Sequence, residues 1–135
     1  MVWKMEKLIV SKTIYREIVD RSEKCQNEVC GLLFSDGSVL HAKNVSDSES
    51  VEYQFSPEDY GVFLNYHRGL KTDKKVVGIY HSHPRWSANP SYTDIRKAYP
   101  NYMYLIYSCT EHLARAFVLE DTEKRVMKEI RLEVE

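Results

Sequence analysis

Long apolar runs are missing from this chain. Its longest uninterrupted apolar stretches, such as residues 8–10 and 103–107, fall far short of the roughly 18 residues that a membrane span needs. Residues 1–10 scatter lysines and a glutamate among apolar side chains, with no continuous signal-peptide core and no small-residue cleavage site. A cytoplasmic address and no membrane partner are therefore expected. Cysteine is scarce: Cys25, Cys30 and Cys109 are an odd number and too few for a disulfide framework. No Cys-x-x-Cys pair occurs, which excludes a cysteine-rich zinc finger and the ligand pair of a nucleobase deaminase. An excess of either charge is also missing. Lys and Arg number 19 against 20 Asp and Glu, so binding to a phosphate backbone is disfavoured and no nucleic-acid partner is expected. No repeat, low-complexity tract or Pro/Gly linker divides the chain, and one domain over residues 1–135 is expected.

Hydrophobic residues make up 43% and charged residues 29%, proportions that argue against extensive disorder. A chain of 135 residues buries roughly two-thirds of its unfolded surface and stands without disulfides. The apolar run at residues 7–10 predicts a strand, and Ser11 can cap a helix over 11–24 with Ile14 and Ile18 on one face. Residues 29–35 and 38–45 read as strands joined at Asp36-Gly37, a two-residue hairpin signal. Residues 46–50 read as a loop and 51–55 as a strand. Ser56-Pro57-Glu58-Asp59 has the cap, proline and first-turn acids of a helix start. Tyr60, Phe63, Leu64 and His67 continue it as an apolar stripe, and Gly69 can stop it. Strands are predicted at 76–81, 102–108, 115–119 and 125–132, with a helix over 91–98. Strands, a hairpin and helices together give an α/β class, a mixed sheet covered by helices.

One segment carries chemistry. His81-Ser82-His83-Pro84 is followed by six residues and then by Ser91-Tyr92-Thr93-Asp94. Histidines at i and i+2 of a strand share a face, so both imidazoles can converge on one ion. Pro84 cannot donate to a ladder and ends the strand. Residues 85–90 turn the chain back, and Asp94 in the next helix can add a carboxylate oxygen. Two histidines and a carboxylate leave one tetrahedral position open, the layout of a catalytic zinc rather than a closed structural one. Taken singly the parts have plainer readings. Most His-x-His pairs are incidental, and Ser91 with Asp94 also reads as an N-cap with a first-turn acid. Glu28 opens an otherwise apolar strand, where a glutamate is expensive to bury without a partner or a task; the alternative is an exposed strand end.

The whole string resembles the motif of the JAMM (MPN+) metalloproteases at every defined position. Glu28 in Glu28-Val29-Cys30-Gly31-Leu32-Leu33 resembles the family's upstream glutamate. The chain lacks long insertions and is similar to the stand-alone archaeal and bacterial members. The resemblance implies a JAMM/MPN fold, cytidine-deaminase-like, with a mixed curved sheet flanked by helices. It implies one zinc ion per chain, held by His81, His83 and Asp94. Glu28 would be the general base towards a water at the zinc and would pass its proton to the leaving amine, and Ser91 would help hold the oxyanion. The implied activity is that of an isopeptidase or peptidase acting on a ubiquitin-like small modifier or sulfur-carrier protein and its conjugates. A monomer or weak homodimer is expected.

Two other readings share parts of this pattern. A metal-free MPN scaffold has the same fold but typically loses ligands, whereas all five positions stand here. RadC-like proteins share the His-x-His-Pro frame but carry His-Asn-His-Pro-Ser-Gly where this chain has Ser82, Arg85 and Trp86. Trp86 lies between the ligands and serves either substrate contact or loop anchoring. The loop that carries it would narrow the approach to the scissile carbonyl. A side-chain-free tail such as a terminal Gly-Gly would pass and could add to a strand edge. His41, His67 and His112 share no spacing with the motif, and His67, Tyr102 and Tyr104 read as packing. Cys109 is expected to be more exposed than Cys30 and open to an intermolecular disulfide.

Overall fold

The computed structural model describes residues 5–135; that part of the signal-peptide reading which falls on residues 1–4 lies outside the described residues. Strand β1 (Lys7–Val10) runs into helix α1 (Lys12–Glu23), where the Ser11 hydroxyl accepts the Ile14 N–H at 3.1 Å. The hairpin of β2 (Cys30–Phe34) and β3 (Val39–Ala42) follows, then helix α2 (Pro57–His67), capped by Ser56. Strand β4 (Val76–His83) is followed by helix α3 (Tyr92–Lys97) and by strands β5 (Met103–Ser108), β6 (Leu113–Asp121) and β7 (Val126–Val134). Gly69 takes a left-handed φ of 74° just past α2, as a helix stop requires.

The seven strands form one sheet in the order β1-β7-β6-β5-β4-β2-β3. β4 pairs parallel with β5 and β1 parallel with β7; the other pairings are antiparallel. The sheet curls, so that β1 at one end lines the same clefts as Phe34, Gly37 and Val77 near the other. β4 lies inside the sheet, and seven of its eight residues are buried, which explains the apolar run of residues 76–80 and leaves His81, Ser82 and His83 buried as well. On one face Ile18 of α1 packs with Leu8, Val10, Leu33, Tyr80 and Leu105. On the other, Phe63 of α2 packs with Leu32, Phe34, Ile79 and Tyr104. Full burial of a side chain like Phe63 contributes roughly 1.5–3 kcal/mol. Among the described residues no helix is long and apolar enough to cross a membrane.

Three expectations are corrected. Residues 51–55 are not a strand; only an isolated bridge between Asn44 and Phe55 remains. The Asn44 side chain takes the place of a ladder, accepting from Ser46 N and Gln54 N at 3.0 Å and donating to the Glu52 carbonyl at 3.0 Å. The β2–β3 turn is longer than two residues. Only Gly37 has a positive φ, 85°, and Phe34 N bonds back to the Ser38 carbonyl. β4 runs two residues beyond the predicted end, through both histidines, and stops at Pro84.

Candidate metal centre

A parallel β4–β5 pair needs a crossover, and here the crossover carries the site. The chain leaves β4 at His83, makes the loop of residues 84–91, and enters α3 back at the end of β4. The loop is pinned at three points. Ser108 Oγ donates to the Trp86 carbonyl at 2.7 Å, Ala88 N donates to Glu111 Oε1 at 2.8 Å, and His83 Nδ1 lies 2.7 Å from the Ser87 carbonyl. Ser91 caps α3 by a reciprocal box: its Oγ accepts Asp94 N–H, and its own N–H donates to Asp94 Oδ2 at 2.9 Å. The plain helix-start reading of Ser91 and Asp94 is thus correct as geometry, and the box also aims the Asp94 carboxylate at β4.

There three atoms meet. His81 Nε2 and His83 Nε2 are 3.3 Å apart, and Asp94 Oδ2 lies 3.1 and 3.0 Å from them. Both imidazoles are fully buried. The Ser87 carbonyl can only accept, so His83 carries a proton on Nδ1, and its Nε2 faces Asp94. Two ring nitrogens and a carboxylate oxygen this close together share a cation, a proton in the metal-free protein or a metal ion when one is bound. Three ligands held tetrahedrally at 2.0–2.1 Å from a zinc lie about 3.3 Å from one another, close to the separations seen. The donor set, two neutral nitrogens and a carboxylate, therefore fits zinc.

Glu28 comes to the same place by register. Cys30 pairs with His81, and Ser82 N donates to the Val29 carbonyl at 3.0 Å, which sets Glu28 opposite His83. A Glu28 carboxylate oxygen lies within 4.8 Å of both histidines' ligating nitrogens. The side chain is 2% exposed and its Oε1 has no hydrogen-bond partner, so the exposed strand-end alternative is excluded. Burial pushes the Glu28 carboxyl from 4.5 up to about 7 against the pull of His81 and His83. Burial opposes charge on Asp94 too, but the imidazoles and the Ser91 N–H outweigh it and hold that carboxyl well below the usual range. For His81 burial works against protonation, yet Asp94 outweighs it and raises the imidazole above 6.5.

These shifts have a consequence for the metal-free protein. Folded Glu28 keeps a proton that the unfolded chain releases, so stability falls as pH rises from 4.5 through 7. The shift corresponds to about 3 kcal/mol. His81 acts in the same sense above pH 6.5, while the Asp94 contribution is lost only as pH falls through its unfolded value of 3.8. Urea unfolding of chelator-treated protein is expected to show a lower midpoint at about pH 7 than at about pH 5, and Glu28→Gln is expected to flatten that interval. An equally steep profile in Glu28→Gln would contradict the assignment to Glu28.

Trp86 packs on His83, with ring centroids 5.7 Å apart, and its backbone carbonyl accepts from Ser108. Anchoring is thus observed, although the indole Nε1 is buried without a partner. Three contributors were missed by the sequence reading. Tyr53 stacks on His81 at 4.6 Å. Ser82, fully buried between the histidines, accepts the Val29 N–H through its Oγ at 2.9 Å; its place inside the motif was the available signal. Asn44 Nδ2 donates to the Glu28 carbonyl at 2.8 Å, and nothing in its local sequence announces this. His41 and His112 lie elsewhere, bonded to Tyr80 and Glu23. His67 stacks on Phe63, and Tyr102 and Tyr104 are buried in the same cluster, as packing requires. Cys109 is half-buried and Cys30 fully buried, in the expected order. Burial, Glu23 and Cys25 push the Cys109 thiol up to about 11, which disfavours the thiolate an intermolecular disulfide would need.

Two histidines and a carboxylate beside a buried glutamate, at the end of a parallel pair in a curled mixed sheet, define a metal site of the JAB/MPN kind. The chain belongs to the prokaryotic homologs of the JAB domain, whose family model matches residues 11–120. A desampylase from Haloferax volcanii is 38% identical over 88 residues, 60% of this chain; the match spans 62% of that relative's length. The solution structure of a protein from Desulfitobacterium hafniense is similar with a TM-score of 0.74 and 25% identity, covering 95% of this chain and 93% of that one. A JAB1/MPN domain protein from Archaeoglobus fulgidus shares the fold with a TM-score of 0.57 at 23% identity, covering 94% and 98%.

Proposed function

We propose that this chain is a zinc-dependent isopeptidase or peptidase of the cytoplasm. Residues 1–135 would act as one catalytic domain that cleaves after the C-terminal Gly-Gly of a ubiquitin-like small modifier or sulfur-carrier protein. The observation that carries this reading is the convergence of His81 Nε2, His83 Nε2 and Asp94 Oδ2 within 3.0–3.3 Å beside the unpartnered Glu28 Oε1. His81, His83 and Asp94 would hold one zinc ion. When bound, zinc supplies a Lewis acid and lowers the pKa of its water to about 7. Glu28 takes the proton of the attacking water and delivers it to the leaving amine, and its burial without a partner for Oε1 leaves the carboxylate free for both transfers. The intact ligand set speaks against a metal-free scaffold.

Ser91 has two roles that do not compete. As a cap its Oγ accepts the Asp94 N–H, which uses a lone pair and leaves the hydroxyl proton free to donate to a developing oxyanion. Ser91→Ala is therefore expected to lower stability by about 1 kcal/mol and turnover by roughly 10²–10³-fold, with zinc still bound. Urea unfolding, metal analysis and kcat on the one variant check this. A loss of stability with turnover intact would leave Ser91 a cap only.

The substrate reading draws on the relative named a desampylase and on the crowding of the site by Trp86 against His83. Two fusions of a ubiquitin-like protein, differing only in a Gly-Gly or an Ala-Val tail, test it. Cleavage of the first alone is expected. Equal cleavage of both would show that no narrow gate selects the tail, and cleavage of neither by zinc-loaded protein would overturn the modifier reading.

A further inference from the structure

Glu28 stands just outside the sheet ladder, because β2 begins at Cys30. Its backbone is nevertheless held on both sides by residues 44–52. The Glu28 N–H donates to the Glu49 carbonyl at 2.7 Å, and the Glu28 carbonyl accepts from Asn44 Nδ2 at 2.8 Å. The same Asn44 amide organises the segment it comes from. Its Nδ2 also donates to the Glu52 carbonyl at 3.0 Å, and its Oδ1 accepts the N–H groups of Ser46 and Gln54, each at 3.0 Å. One carboxamide thus ties the peptide of the buried glutamate to a segment whose Tyr53 stacks on His81.

We infer that Asn44 is a positioning residue for Glu28, fixing the backbone from which the proposed general base reaches the metal centre. The inference rests on the base role given to Glu28 above. Glu28 Oε1 has no hydrogen-bond partner of its own, so the carboxylate's place depends on its backbone and on packing. Releasing the Glu28 carbonyl lets that peptide rotate, and a displacement of about 1 Å at a reacting group costs up to roughly 10²-fold in rate. Asn44 makes no hydrogen bond to either histidine or to Asp94, so its replacement removes no direct support from the metal ligands.

Asn44→Asp tests this selectively. It keeps the Oδ1 acceptor that serves Ser46 and Gln54 but sets an oxygen against the Glu28 carbonyl. Asn44→Ala, which adds no charge, is the second variant should the aspartate unfold the segment. Ser46→Ala is the control. It removes the Ser46–Glu52 bond of 2.8 Å and loosens the same segment without touching Glu28. On a Gly-Gly fusion, Asn44→Asp is expected to lower kcat roughly 10- to 100-fold with KM within about twofold. Zinc content and zinc affinity against a competing chelator are expected to stay at the parent values. Ser46→Ala is expected to stay within about twofold of the parent kcat. Combined with Glu28→Gln, Asn44→Asp is expected to add no further loss, since no base is left to position. An equal loss in Ser46→Ala, a multiplied loss in the double variant, or loss of zinc in Asn44→Asp would each overturn the inference. If Glu28→Gln alone retains full activity, the base assignment fails instead. If Glu28→Gln is inactive and Asn44→Asp is not impaired, only the role of Asn44 fails.

Discussion

A chain carrying His83→Ala is expected to lose both its bound zinc and its cleavage of a Gly-Gly fusion. His83 sits at the middle of the convergence, with its Nε2 3.3 Å from His81 and 3.0 Å from Asp94 and its Nδ1 bonded to the Ser87 carbonyl. Removing it leaves His81 and Asp94 as a bidentate remnant and deprives the Ser87 carbonyl of its donor, so the loop of residues 84–91 loses a pin as well. Loss of a mere supporting hydrogen bond lowers metal affinity by 10–100-fold, and loss of a ligand is expected to exceed about 10²-fold. Metal analysis after gel filtration, with circular dichroism to establish folding, measures this. Stoichiometric zinc in the folded variant would refute the ligand assignment.

Glu28→Gln is expected to behave in the opposite way towards the metal. The amide is isosteric and neutral, so the buried site loses no volume and sheds a carboxylate that is expensive to keep charged there. Zinc is expected to remain at one per chain, and turnover to fall by roughly 10²–10⁴-fold, the usual contribution of a general base. The same measurement separates two roles that geometry places close together, because Glu28 comes within 4.8 Å of both ligating nitrogens. Loss of zinc would make Glu28 a ligand, and a near-parental rate would remove it from the proton transfers.

The convergence of His81, His83 and Asp94 was legible because these residues report locally. His81 and His83 share a strand face, Pro84 must end the strand, and Ser91 and Asp94 form a cap within one helical turn. Each of these follows from spacing alone. Glu28 was half legible: its place at the start of an apolar strand drew attention to it, but an exposed strand end stood as the alternative, because its burial depends on a pairing with β4 that lies more than fifty positions away in the chain. Residues 51–55 were the least legible part. Their β-branched and aromatic residues favour a strand, but a single asparagine side chain satisfies the backbone that a ladder would have used. The network under the hairpin is similar. Arg21 donates to the carbonyls of Cys30 and Ala42 and to the Tyr80 hydroxyl, and Gly31 is required because a Cβ there would run into the Tyr80 ring and the Leu40 carbonyl. Contacts of this kind are set by tertiary neighbours, which no periodicity encodes.

The pairing of β1 with β7 bears on how the chain reaches its native state. Lys7 lies beside Arg131, so among the described residues the first strand of the sheet pairs with the last alone. During synthesis β1 must wait for β7, more than a hundred positions later, whereas the residues that meet at the metal centre all lie between positions 28 and 94. Closing so long a loop is entropically demanding and slows folding. The metal centre and its supporting strands β2, β4 and β5 can therefore assemble first, with docking of β1 onto β7 as a late event. Leu8 and Val10, which β1 buries in the core, are the apolar side chains that wait longest for cover.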